Sequence, residues 1–200
     1  MIARWREAFR VPSLPFVYVE LCTTYGAEEP KESNFWAAMR TATTMLPRVS
    51  YATTTDIQRA LHPPDKQDVA SRLLLALRNV AYNEDVVSRG PELVGHSSGS
   101  QPGSLVLKFS NSSLAVRAGI LVGTARGCAA AKGHDSMVSF TDGVDHSVLA
   151  LNYTIAGDSV TVALPPNTKK GFVRINADTA VCFLYSSESN LPAPPVVVPV

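Results

Sequence analysis

The stretch Asp-Ile-Gln-Arg-Ala-Leu-His-Pro-Pro-Asp-Lys-Gln-Asp-Val-Ala-Ser-Arg, from Asp56 to Arg72, carries the histidine best placed for chemistry, His62. An imidazole works as a general base when it is held within hydrogen-bond reach of its proton donor. Pro63 and Pro64 follow it directly. Proline fixes φ and is tolerated in a first helical turn, so the loop is expected to be stiff on that side. The plainer reading is that a lone histidine near a helix start is more often a surface or capping residue. His96, His134 and His146 show no ligand spacing and read as surface residues. Cys22, Cys128 and Cys182 show no metal-ligand spacing either, and no cofactor is implied.

The elements that must position His62 can be read on both sides of it. A β-rich run at 51–55 leads in, and a helix leads out with Val69, Leu73, Leu77 and Val80 as its apolar positions. His62 is therefore expected in a loop between a strand end and a helix start. In open α/β sheets ligands bind there, outside the carboxyl ends of the strands. Upstream, residues 1–9 read as a helix end with Ile2, Trp5 and Phe9 on one face, broken by Pro12 and Pro15. Residues 14–21 form a nearly continuous apolar run, as suits a parallel strand buried on both faces. Glu20 inside it needs a partner if buried. Ser33 can cap a helix running to about Leu46, with Phe35, Trp36, Met39 and Thr43 inward, and Pro47 stops it. A strand at 49–55 and a helix at 65–83 complete the series, Asp65 and Asp68 complementing the helix dipole. The order helix, strand, helix, strand, helix means α/β with a parallel sheet. Two strands cannot close such a domain, and the sheet is expected to have a bare hydrophobic edge.

From Gly90 the texture changes. Short β-branched runs recur at 105–109, 115–122, 137–140, 148–155, 160–164, 172–175 and 181–185. Turn signals such as Gly99, Gly103, Asp142-Gly143, Gly157-Asp158 and Pro165-Pro166-Asn167 separate them. Strands at this spacing predict an antiparallel sandwich. The stretch Leu191-Pro-Ala-Pro-Pro with its Val/Pro tail reads as an extended exit. The expected division is 1–88 for the α/β part and 89–200 for the β part.

An apolar content of 46% with 18% charged residues is ordinary for a chain that builds a core. A net charge of +1 gives no field that points to nucleic acid or an anionic membrane. No run approaches the roughly 18 apolar residues needed to span a bilayer. The start, Met-Ile-Ala-Arg-Trp-Arg-Glu, does not read as a signal peptide. Sequons at Asn111 and Asn152 mildly favour a secretory protein.

Four stretches together resemble the carboxy-terminal half of sialate O-acetylesterases and related carbohydrate acetylesterases of the SGNH-hydrolase superfamily. They are residues 1–21, with Trp5-Arg6 and Pro15-Phe16; Phe35-Trp-Ala-Ala-Met-Arg40; the block from Leu61-His-Pro-Pro-Asp-Lys-Gln to Arg72-Leu73; and Phe172-Val-Arg174 with Cys182-Phe-Leu-Tyr185 and Leu191-Pro-Ala-Pro-Pro195. The third is the most specific. The resemblance is firmest over 1–85 and 172–195. It implies a partial three-layer, flavodoxin-like parallel sheet followed by a β-sandwich. It also implies that His62 is the catalytic histidine of an enzyme cleaving acetyl esters on sugars, O-acetylated sialic acid first among them. His62 would deprotonate a serine, since a hydroxyl is a weak nucleophile until an adjacent base takes its proton. A secreted or lysosomal setting is implied for such a protein.

The chain departs from the pattern in three ways. The serine block belongs upstream of everything present, so a segment carrying the nucleophile is expected as a partner, and the chain alone is expected to turn over little or nothing. Where the superfamily often has an aspartate, three residues before the histidine, stands Arg59; Asp56 is the nearest acid upstream, able to orient the imidazole or to cap the loop by an Asx-turn. Glu20 stands where the family usually has glutamine. Ser136, in Gly-His-Asp-Ser, follows His62 and lies between β runs, so it reads as a turn, as does Ser98-Gly-Ser100. Trp5 and Trp36 read as core aromatics, and Arg72 and Arg174 as ion-pair partners. In an oxidising compartment Cys128 and Cys182 could pair, leaving Cys22 free. The competing reading is a truncated, non-catalytic chain acting as a carbohydrate-binding or structural β module.

Overall fold

The computed structural model describes residues 1–21, 31–57, 65–110, 113–118, 136–143, 148–177 and 182–200. Helix α1 (Ile2–Ala8) leads into strand β1 (Phe16–Glu20), helix α2 (Lys31–Met45), strand β2 (Val49–Thr53) and helix α3 (Lys66–Tyr82). β1 and β2 pair in parallel, Phe16 opposite Val49 through Glu20 opposite Thr53. Asp65 caps α3, its Oδ1 accepting from Asp68 N at 3.0 Å, and Asn83 ends the helix in the left-handed conformation.

The β part begins with β3 (Leu93–Ser98), β4 (Ser104–Phe109) and β5 (Leu114–Ala118). It continues with β6 (Val138–Thr141), β7 (Leu149–Ala150), β8 (Tyr153–Ala156) and β9 (Ser159–Ala163), then β10 (Phe172–Ile175), β11 (Cys182–Ser186) and β12 (Val196–Pro199). There are two four-stranded antiparallel sheets, ordered β3-β4-β9-β8 and β12-β10-β6-β7, and an antiparallel β11-β5 pair. Leu105, Leu107 and Val160 of the first sheet share one buried apolar core with Phe140, Val173 and Val198 of the second. Asn176, fully buried, staples the second sheet to its neighbours. Its side chain accepts from Leu184 N and donates to the Leu184 and Ala193 carbonyls. Cys182 is disulfide-bonded, while Cys22 and Cys128 lie outside the described residues. No described helix is long and apolar enough to cross a membrane.

Several expectations are corrected. In α1 the inward row is Ile2 and Arg6, because the Arg6 guanidinium donates to the carbonyls of Leu14 and Pro47. Trp5 is displaced to the flank, 45% exposed, tilted against Phe16 at 5.6 Å. Phe9 is 65% exposed. In α2, Trp36 takes the inner position and its Nε1 donates to the Leu21 carbonyl, which leaves Phe35 about half exposed. That helix starts at Lys31, so Ser33 lies within it rather than capping it. The single run at 148–155 divides into β7 and β8, which belong to different sheets. β3, where no strand is expected from the sequence, and β12, expected as an extended exit, are edge strands, where half the backbone needs no partner and polar or proline residues fit.

Candidate functional site

The carboxyl ends of β1 and β2 gather most of the buried charge in the described α/β part. Glu20 closes β1 and is fully buried. Its Oε1 accepts from Arg40 Nη1 at 2.9 Å and its Oε2 from Thr53 Oγ1 at 3.0 Å. Its backbone carbonyl accepts from Thr54 Oγ1. Burial pushes the Glu20 carboxyl up to about 7, against the opposing pull of the Arg40 charge and the Thr53 hydroxyl. Arg40 Nη2 reaches on to the Pro195 carbonyl, at 2.8 Å.

Asp56 lies in the turn just after β2, buried at 1% exposure. Arg72, projecting from α3, grips it with both terminal nitrogens, each at 2.6 Å, in the planar fork geometry that suits a carboxylate. Arg72 Nη1 also donates to the Thr53 carbonyl. The Tyr185 hydroxyl, from β11, donates to Asp56 Oδ2 at 2.7 Å. Arg72 is raised: burial works against its charge, but the hydrogen bond and charge of Asp56 outweigh that. Tyr185 is raised by burial first and by the Asp56 charge second. A carboxylate offers about four lone-pair sites. Three donors occupy Asp56, so Oδ1 retains room for one more.

His62 lies outside the described residues, as do the rest of 58–64. The residues on either side of that stretch are described. On one side Ile57 is fully buried and its N–H closes a turn onto the Thr54 carbonyl. On the other, Asp65 caps α3. The Thr55 hydroxyl, also buried, has no partner among the described residues.

Some other candidates are placed plainly. Ser136 is buried, its hydroxyl donating to the Val138 carbonyl in the approach to β6. Ser98 and Ser100 flank the β3–β4 turn, closed by Gly99 N to Ser104 O. His96 is exposed on β3; His134 and His146 lie outside the described residues. Arg174 is buried in β10 and donates to the Ala177 carbonyl. No group of metal-ligating side chains occurs among the described residues. Sequence reasoning gave Arg40 and Tyr185 no role at the site, although both stand in stretches that carry the resemblance. Both act across long stretches of chain, and no local spacing marks such a partner.

No protein-family profile matches the chain, and no curated protein does. Among solved structures it is similar to a carbohydrate acetylesterase from Xanthomonas citri, with a TM-score of 0.72 and 29% sequence identity. The likeness covers 99% of this chain and 44% of that one. The chain thus spans less than half the length of the solved protein it matches.

Proposed function

We propose that this chain is the histidine-bearing part of a carbohydrate O-acetylesterase. One observation carries the reading: the likeness to an acetylesterase runs over nearly the whole chain and includes both the α/β and the β parts. Acetylated carbohydrate is the substrate class, with O-acetylated sialic acid the leading member. In the proposed reaction a serine Oγ attacks the acetyl carbonyl carbon while His62 accepts the hydroxyl proton. The C–O bond to the sugar then breaks and His62 returns the proton to the departing sugar oxygen. Water, deprotonated by His62, attacks the acetyl carbon of the acetyl-serine; the bond from that carbon to the serine oxygen breaks, and His62 returns the proton to the serine oxygen, leaving acetate and free serine. The serine comes from a segment outside these 200 residues. Asp56 orients the imidazole through the open acceptor site on Oδ1, and Arg72 and Tyr185 fix its carboxylate. The Cys182 disulfide favours an oxidising, secreted or lysosomal setting.

The test is acetyl release from O-acetylated sialic acid and from p-nitrophenyl acetate. This chain alone is expected to turn over neither. Co-expressed with a serine-bearing α/β segment it is expected to turn over both, and His62→Ala to lower the rate by at least 100-fold. A rate unchanged in His62→Ala would overturn the reading and favour a non-catalytic β module. Turnover by the chain alone, lost in His62→Ala, would place the nucleophile within it.

A further inference from the structure

We propose that Asn152 is the acceptor of an N-linked glycan, and that this glycan guards the edge strand β8 against pairing with another chain. The site does not rest on the esterase reading.

The acceptor sequence is Asn152-Tyr-Thr154, with no proline at its middle position. Asn152 is exposed immediately before β8, and Thr154 is exposed within it. Two residues apart on an extended chain, their side chains leave the same face of the sheet. That face is the outward one, because Tyr153 and Ile155 point the other way and pack against the buried core. The neighbouring strand leaves room for a sugar. Ala163, whose N–H donates to the Asn152 carbonyl, stands opposite the acceptor, and Thr161 stands opposite Thr154. The other sequon, at Asn111, lies outside the described residues.

The Cys182 disulfide fits the oxidising, secretory setting in which such transfer takes place. In that transfer the Asn152 side-chain nitrogen attacks the anomeric carbon of an oligosaccharide carried on a lipid pyrophosphate. A carbon–nitrogen bond forms and the bond from that carbon to the pyrophosphate oxygen breaks. The proton lost by the amide ends on the departing pyrophosphate.

The role of the glycan follows from the edges of the two four-stranded sheets. Among the described residues these edges are β3, β8, β12 and β7. An open edge is a template for pairing, and natural proteins blunt it with a very short strand, a bulge, a proline or a lysine. The register of β3 shifts between Leu93 and Gly95. β7 has only two residues, and β12 ends in Pro199. β8 has none of these devices: it runs Tyr-Thr-Ile-Ala in unbroken register with β9. The bond from Ala163 N to the Asn152 carbonyl sets the phase of that ladder. The backbone groups of Thr154 and Ala156 therefore face β9, and those of Tyr153 and Ile155 face away from it. Among the described residues no strand pairs with that side, and Leu114 N meets the Gly157 carbonyl beyond the strand's end. A bulky, hydrophilic glycan on Asn152, at the opposite end of β8, supplies the missing block.

The chain is secreted from a eukaryotic cell line behind a cleavable leader, and its mass is read before and after a glycosidase that releases N-glycans. Most chains are expected to carry a glycan that peptide mapping places on Asn152 and that Asn152→Gln abolishes. A wild-type chain with Asn152 bare would overturn the proposal. Two further variants separate the glycan from the residue. Thr154→Ala and Thr154→Lys both destroy the acceptor sequence at an exposed site, but the lysine gives the edge a blunting charge of its own. Hydrogen exchange of the Tyr153 and Ile155 amides, compared at low and high protein concentration, places any pairing at β8 rather than at another surface. In Thr154→Ala that exchange should slow at least about fivefold as concentration rises, while the glycosylated wild type and Thr154→Lys stay unchanged. Exchange in Thr154→Ala that does not slow, or that slows equally in the wild type, would overturn the guarding role. So would equal slowing in Thr154→Lys, since the protection would then not come from an open edge.

Discussion

Glu20 carries a fully buried carboxyl that burial pushes up to about 7. Its pKa, up from 4.5 to about 7, is above the unfolded value, so the folded state holds the proton more tightly. Its contribution to stability is full below about 4.5 and is lost as pH rises through about 7. The span corresponds to a cost on the order of 3 kcal/mol for ionising the folded side chain. Glu20→Gln keeps the size and an acceptor for Arg40 but cannot ionise. Its denaturant midpoint between pH 5 and 8 should therefore be flatter than that of the wild type and higher at pH 8. A variant curve parallel to the wild type would refute the assignment. The sequence showed that a glutamate within an apolar strand must have a partner if buried, and it has two. It did not show which, because Arg40 lies 20 residues on and only the packing of α2 against the sheet brings it near. Asp56 is similar: the nearest acid upstream of His62 was legible, but not the grip of Arg72 and Tyr185.

At the scale of elements, the apolar runs and the proline and glycine stops gave most strands and all three helices to within a few residues. What failed were faces and edges. Seven residues in α1 are too few for periodicity to say which row turns inward, and the Arg6 hydrogen bonds decided it. Edge strands such as β3 bury little and so carry no alternation to read. Gly90 was read only as the start of a new texture. In the structure a Cβ there would meet the Pro192 carbonyl oxygen at 2.0 Å, against backbone that cannot rotate away. Gly90→Ala should cost roughly 1–3 kcal/mol through a forced backbone shift. Urea unfolding should show this as a lower midpoint with an unchanged slope; a midpoint equal to the wild type would mean that the segment moves freely.

For the whole molecule, the α/β and β parts are joined by polar contacts that neither can replace alone. Tyr185 donates to Asp56, Tyr51 to Glu92, and Arg40 to Pro195. Removing one partner of a buried hydrogen bond to a charge costs about 1.5–3 kcal/mol. Tyr185→Phe should lose that much, and its effect should reach both parts. The two tryptophans, Trp5 and Trp36, report the α/β part by fluorescence, and circular dichroism near 215 nm reports the strands. Unfolding curves from the two probes should coincide in the wild type and separate in Tyr185→Phe. Coincident curves in the variant would show that the other contacts suffice to couple the parts.

The closing residues have a practical meaning. Val196–Pro199 lies against β10, and Val200 exchanges both backbone hydrogen bonds with Gly171. Val196 and Val198 are buried in the shared core. Removing residues 196–200 would therefore unravel a sheet rather than trim a tail. An affinity tag joined there needs a spacer of several residues before it can turn away from the sheet without pulling β12 loose.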